Sequence, residues 1–186
     1  MSSPTCFNSG LKKRTCLICE TEESVFVEKL NHNFSHDETA NLDVCDLCNA
    51  YTYNGHIYMI YEISLVWSEA KTYCENLNGH LLTITSESEQ DFINRLLSKC
   101  QNSYYWTGAS FNNNWGWITG ESFDYTNWAD GEPNNVEQQE NYIHIYANPP
   151  ESSDFGKWND TKPYGSGHND NYNIMYFSII CEWDQK

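Results

Sequence analysis

Glu132 and Asn134 of a Glu-Pro-Asn tripeptide, Glu140, and Asn159-Asp160 after Trp158 bring five oxygen-bearing side chains into one stretch of the chain. Mixed carboxylate and amide oxygens suit a hard cation. Calcium takes about six to eight oxygens and tolerates such a mixture, whereas an oxygen-only set is unusual for zinc. Five side chains leave coordination positions open. A carboxylate only accepts hydrogen bonds, while an amide can bind a metal through its oxygen and still offer NH2 donors. Two neighbouring sugar hydroxyls match that asymmetry, because each can fill an open position while donating to a carboxylate or accepting from an amide. Glu132, Asn134, Glu140, Asn159 and Asp160 therefore read as a calcium site and as the ligand-binding residues for a vicinal diol.

Such residues need a scaffold, and the flanking sequence supplies one. Aromatic and β-branched residues from Tyr51 to Tyr61 predict a strand pair or an extended entry strand. Trp67, Ala70, Cys74 and Leu77 share one helical face, with Ser64 as the expected cap and Gly79 as the stop. Ser86-x-x-Glu89 is a capping box ahead of Phe92, Ile93, Leu96 and Leu97. After Cys100 come short β segments, Tyr104 to Ala109, Trp115 to Thr119, Tyr142 to Tyr146 and Met175 to Trp183, separated by Asn- and Gly-rich turns. Residues 126–140 and 148–173 lack the periodicity of regular structure, and long loops of this kind are commonly functional. The expected fold is α+β, with two helices beside antiparallel sheets and a loop-built site at one end.

Trp128-Ala-Asp-Gly-Glu-Pro-Asn-Asn135, Glu140-Asn141 and Lys157-Trp158-Asn159-Asp160 resemble the carbohydrate-recognition site of C-type lectins. Trp67-Ser-Glu-Ala-Lys-Thr-Tyr-Cys74, Gly79-His-Leu-Leu82, Tyr105-Trp-Thr-Gly108, Trp115-Gly-Trp117 and Ile180-Cys181-Glu182-Trp183 follow the same family in order and spacing. One tripeptide would be weak evidence; several motifs in order are strong. The resemblance implies a C-type lectin-like fold, a cis peptide before Pro133, and a core disulfide between Cys74 and Cys181. It also implies calcium-dependent binding of glycans with mannose-type saccharides (mannose, glucose, N-acetylglucosamine, fucose). A Gln-Pro-Asp form would imply galactose. The family's second disulfide is missing, since Tyr142 stands where one of its cysteines is expected.

Five of the eight cysteines lie in the first fifty residues, while all seven tryptophans and all 13 tyrosines follow them. This divides the chain into a small Cys-rich segment, residues 1–50, and a lectin-like domain, residues 51–186. Cys16-x2-Cys19 and Cys45-x2-Cys48 make two knuckles whose spacing is a zinc signal, with two or more disulfides as the alternative. His32 and His36 offer a weaker ligand set. Leu30-Asn-His32, Asn41-Leu42 and Cys48-Asn49 also resemble in part the treble clef of HNH nucleases, in which a histidine at the place of His32 activates water. Cys6 and Cys100 have no evident role.

A formal net charge of −16 opposes binding to a phosphate backbone, so no nucleic acid partner is expected. No apolar run is long enough for a membrane span, and the first residues lack the pattern of a secretion signal. The lectin resemblance implies an extracellular or cell-surface protein; a cytoplasmic one is the alternative. Two carboxylates near a sugar also raise the possibility of a glycosidase, but carboxylates engaged with calcium leave no protonated acid, so no enzyme is expected. A protein-binding module of the same fold is a further alternative. Trp128, Tyr164 and His168 are candidates for secondary sugar contacts, whereas Trp106, Trp115, Trp117 and Trp158 are expected mostly in the core. His56, His80 and His144 carry no partner signal.

Overall fold

The computed structural model describes residues 6, 10–15, 22–147, 149–165 and 177–184, and the chain divides into two units, Met1–Tyr51 and Thr52–Lys186. Two hairpins shape the first unit. β1 (Gly10–Thr15) pairs with β2 (Glu22–Val27), and β3 (Phe34–Asp37) pairs with β4 (Leu42–Cys45), both antiparallel. Cys6, Leu42, Cys45 and Ala50 are its buried residues among those described.

The second unit begins with a hairpin whose turn is written in its sequence. Asn54 and Gly55 both adopt left-handed backbone, as a tight two-residue turn requires, between β5 (Tyr51–Tyr53) and β6 (His56–Leu65). Helix α1 (Trp67–Asn76) follows and buries Trp67, Ala70 and Cys74. Ser64 does not cap it. That residue lies inside β6, Val66 takes the cap position, and the Glu69 carboxylate accepts the Val66 N–H at 3.3 Å. Gly79 is not the left-handed residue of the helix end either; Asn78 is, at φ 61°. Gly79 serves close packing, since a Cβ there would lie 2.6 Å from the Glu182 carbonyl oxygen.

β7 (His80–Leu81) leads to helix α2 (Glu87–Leu97), where Ser86 accepts the Glu89 N–H as expected of a cap. Glu89 reaches one residue further back than a simple capping box, accepting from Thr85 N at 2.9 Å. The remaining strands are β8 (Tyr104–Asn112), β9 (Asn114–Trp117), β10 (Tyr142–Tyr146), β11 (Trp158–Thr161) and β12 (Phe177–Asp184). Within this unit the strand order is β11-β10-β8-β12-β6-β5, with β7 on β12 and β9 on β8. β12 runs parallel to β8 and antiparallel to β6, which sets the last strand at the centre.

The main core joins α1 to these central strands through Trp67, Ala70, Cys74, Leu81, Trp106, Phe177, Ile179 and Cys181. The disulfide Cys74–Cys181 lies within it. Tyr142, where the family has a second cysteine, packs its ring 4.5 Å from that of Trp67. The architecture is the expected α+β one, with two α-helices and a mostly antiparallel sheet among the described residues. None of these helices is long and apolar enough to cross a membrane.

His144 on β10 is buried against Tyr104, Tyr146 and Phe177, and neither ring nitrogen has a hydrogen-bond partner. Burial alone depresses its pKa to about 3. The unfolded chain then binds a proton that the folded chain refuses. Stability is fully present above an unfolded pKa of about 6.5 and is lost as pH falls, by up to about 1.4 kcal/mol per pH unit. Chemical denaturation in EDTA should therefore show His144→Phe losing less stability than wild type between pH values of about 6.5 and 4.5. Parallel acid limbs would refute this.

Candidate functional site

Trp158 organises the loops that carry the five oxygen-bearing residues. Its indole is fully buried, donates from Nε1 to Gln90 Oε1 at 2.8 Å, and has Trp117, Phe123, Tyr125 and Trp128 around it. Its backbone holds the preceding loop from both sides, with Ala129 N donating to Trp158 O and Trp158 N donating to Asn127 O, each at 2.9 Å. Gly156 closes this arrangement at φ 76°, and its carbonyl accepts from both Gln90 and Asn127. A Cβ there would stand 2.2 Å from Asn94 Oδ1. The segment expected to be irregular thus contains β11, paired to β10 with Asp160 opposite Ile143 and Asn159 opposite His144.

The Glu132–Pro133 bond is cis. Beyond it the chain wraps around carboxylates. Asp160 is buried, and its two oxygens accept the backbone N–H groups of Asn134 at 3.1 Å and Asn135 at 2.9 Å. Glu132 accepts from Asn134 N at 3.0 Å and from Asn134 Nδ2 at 2.9 Å. Buried Glu140 accepts from Val136 N at 2.8 Å, while its own N–H donates to Asn135 Oδ1. Four of the five residues are thereby tied into one network. Asn159 lies beside it on β11, donating from Nδ2 to the Tyr146 hydroxyl at 3.0 Å.

Two features show what this network lacks. Burial raises the pKa of Glu132, and the neighbouring Asp160 carboxylate adds to the effect, bringing it to about 7. Burial and Asp160 also raise Glu140, against the Val136 N–H that lowers it. Converging carboxylates with raised pKa values are short of positive charge. The second feature is Asn159 Oδ1, a buried oxygen with no hydrogen-bond partner among the described residues. An orphaned amide oxygen beside crowded carboxylates is the donor set a hard cation satisfies, so the residues present fit calcium. The intervening turn holds Asn135, Glu137 and Gln138 at positive φ, a costly run of non-glycine residues in which the Asn135 N–H bonds to Asp160 and the Val136 N–H to Glu140.

Tyr146 and Asn135 belong to this site and were not legible as such. Tyr146 sits at the end of β10 on the same side as Tyr142 and His144 by strand alternation, which is the one local signal that could have pointed to it. Of the aromatic candidates, Trp128 is half-buried against Trp115 and Trp158, Tyr164 is exposed, and His168 lies outside the described residues. Trp106, Trp117 and Trp158 are core.

In the first unit the knuckle Cys45-x2-Cys48 stands with His32, from the weaker expected ligand set, and with Cys6, to which the sequence assigned no role. Cys6, His32, Cys45 and Cys48 bring their ligand atoms within 4.8 Å of one another. Cys16 and Cys19 lie outside the described residues. His32 Nδ1 is 3.5 Å from Cys48 Sγ, so this histidine faces a thiol. Burial raises Cys45, but backbone N–H groups of Leu47 and Asn33 and the His32 side chain outweigh it and bring the thiol to about 6.

A family profile described as Lectin C-type domain matches residues 63–173, more than half of the chain. Lithostathine-2 of Mus musculus is 36% identical over 90 residues, covering 45% of this chain and 52% of that protein; the chain thus spans about half of that relative's length. Among solved structures, the C-type carbohydrate-recognition domain of cow CD23, determined in the presence of a GlcNAc2Man3 oligosaccharide, superposes with a TM-score of 0.57. It is 28% identical, over 73% of this chain and 92% of that one. The SPL-1–GlcNAc complex gives a TM-score of 0.60 at 26% identity, over 74% and 93%.

Proposed function

The chain belongs to the C-type lectin domain family, and from that membership we propose that it binds carbohydrate in a calcium-dependent way, preferring mannose-type sugars with two adjacent equatorial hydroxyls. The observation that carries this reading is the meeting of Glu132, Asn134, Glu140 and Asp160 in one network beside the orphaned Asn159 oxygen. These five residues would hold calcium, which when bound supplies open positions for two sugar oxygens. Glu132 and Asn134 lie on one exposed turn, one an acceptor and the other able to donate, so they orient the diol. The likeness to CD23 in the presence of an oligosaccharide and to SPL-1 with GlcNAc supports a sugar as ligand.

Elution from immobilised mannose tests the proposal. Calcium-dependent retention, release by EDTA, and competition by mannose, glucose, N-acetylglucosamine or fucose ahead of galactose are expected. Retention unaffected by EDTA and monosaccharides would instead favour a protein-binding module. The double substitution Glu132→Gln with Asn134→Asp exchanges acceptor and donor and should move preference toward galactose on a glycan array; an unchanged profile would refute the assigned roles. No catalysis is proposed, because the buried carboxylates Glu140 and Asp160 are committed as acceptors to backbone N–H groups.

We further propose that the first unit holds zinc. Cys6, His32, Cys45 and Cys48 form a set of three sulfurs and one imidazole nitrogen, which is a structural zinc chemistry. Cys16 and Cys19 are the other pair that could share the metal with Cys45 and Cys48, and His32→Ala distinguishes them by lowering zinc content only in the first case. The buried Cys74–Cys181 disulfide supports placing the protein in an oxidising setting, extracellular or at the cell surface.

A further inference from the structure

We propose that His56, His80, Glu182 and Asp184 form a second metal site within the lectin unit, one selective for a zinc-class divalent cation over calcium. The backbone register alone gathers these residues. On β12, Glu182 lies opposite Tyr58 of β6 and opposite His80 of β7, while Asp184 lies opposite His56. Side chains two apart on a strand share a face, so both carboxylates project to one side, flanked by a histidine on each neighbouring strand.

The side chains of His56, Glu182 and Asp184 meet accordingly, with their ligand atoms within 4.8 Å of one another, and His80 stands beside Asp184 as the fourth. His56 Nδ1 is 2.8 Å from Glu182 Oε1 and 3.1 Å from Asp184 Oδ1. His80 Nε2 is 3.5 Å from the same Asp184 oxygen. His80 Nδ1 lies 3.0 Å from the Leu81 carbonyl oxygen, to which it donates, so the lone pair of the neutral ring is on Nε2. That nitrogen is buried and makes no hydrogen bond. An imidazole whose far nitrogen is tied to a backbone carbonyl is the arrangement that orients a metal-binding histidine.

Glu182 is oriented in the same manner. It is fully buried, and its Oε2 accepts from Thr83 N at 2.9 Å and from Thr83 Oγ1 at 3.1 Å. This leaves Oε1 facing His56. Two imidazoles with two carboxylates suit zinc, cobalt or nickel, whereas calcium prefers oxygen alone. A cation here would staple β6, near the start of the unit, to β12, the last described strand.

Cobalt(II) titration of the full chain, in excess calcium and under non-reducing conditions, tests this site. Wild type should bind one equivalent with weak visible d–d absorption and no sulfur-to-metal charge transfer, in addition to any thiolate-bound cobalt, which absorbs strongly in the near ultraviolet. His80→Gln and Asp184→Asn should each weaken the nitrogen–oxygen signal by roughly tenfold or more in affinity, leaving the sulfur band unchanged. The Asp184 side chain is 63% exposed, so that variant tests the site without disturbing the core; matched melting in EDTA verifies folding of both. Absence of the weak band in wild type, or its persistence at unchanged affinity in both variants, overturns the proposal.

Discussion

Asp160→Ala should abolish calcium-dependent sugar retention and also destabilise the protein when no calcium is present. The two losses have different causes. Sugar binding fails because a buried anionic ligand has gone from a set of three carboxylates and two amides. Stability fails because Asp160 accepts the backbone N–H groups of both Asn134 and Asn135; without it the Asn135 N–H loses its acceptor and the Asn134 N–H keeps only Glu132. Leaving such groups unsatisfied costs about 1–3 kcal/mol each when fully buried, so about 2 kcal/mol in total is expected for this half-exposed turn. Asp160→Asn separates the two effects. It keeps the volume and one acceptor oxygen but removes the charge, so sugar retention should be lost as completely while apo stability falls by less. Urea unfolding in EDTA together with elution from immobilised mannose reads both quantities. An Asp160→Asn variant that binds sugar as wild type does would end the calcium assignment of this residue.

Breaking the Cys74–Cys181 bond should have the largest effect on stability. Its half-cystines are 107 residues apart, so the bond restrains most of the second unit in the unfolded state. Chain-entropy reasoning gives about 4–5 kcal/mol for a loop of this size, and removal of native disulfides costs about 2–5 kcal/mol in practice. Both sulfurs are fully buried in the core cluster, so a Cys74→Ala/Cys181→Ala double variant also loses packing. Reduction without substitution isolates the covalent contribution, because it leaves two small apolar thiols in place. Denaturant midpoints of the oxidised, reduced and doubly substituted chains should fall in that order. Equal midpoints for the oxidised and reduced forms would show that the bond does not restrain the unfolded chain as argued.

The five residues proposed to hold calcium stand out in the sequence because their signal is local. Glu-Pro-Asn and Trp-Asn-Asp each place donors within a few residues, and donor chemistry follows from residue type without knowledge of the fold. The Ser86 cap and the apolar faces of α1 and α2 were legible for the same reason: each depends on backbone preferences and spacing over one or two turns. Local signals failed where two of them competed. Ser64 is a good cap by type, but β6 continues through it because its strand pairs with β12, and Val66 takes the cap by position.

Residue types and short spacings by themselves determined the class of elements, the donor set and the cation it suits. Tertiary structure decided who stands beside whom. His56 meets Glu182 across 126 residues, Asp160 meets the Asn134 N–H across 26, and Cys45 and Cys48 meet Cys6 and His32. Strand register makes the first of those pairings, and a shift of one residue would send its side chains to the opposite face; loop paths make the others. Register is selected by burial over the whole sheet, a sum of contacts between distant segments, and so it cannot be read from any one of them.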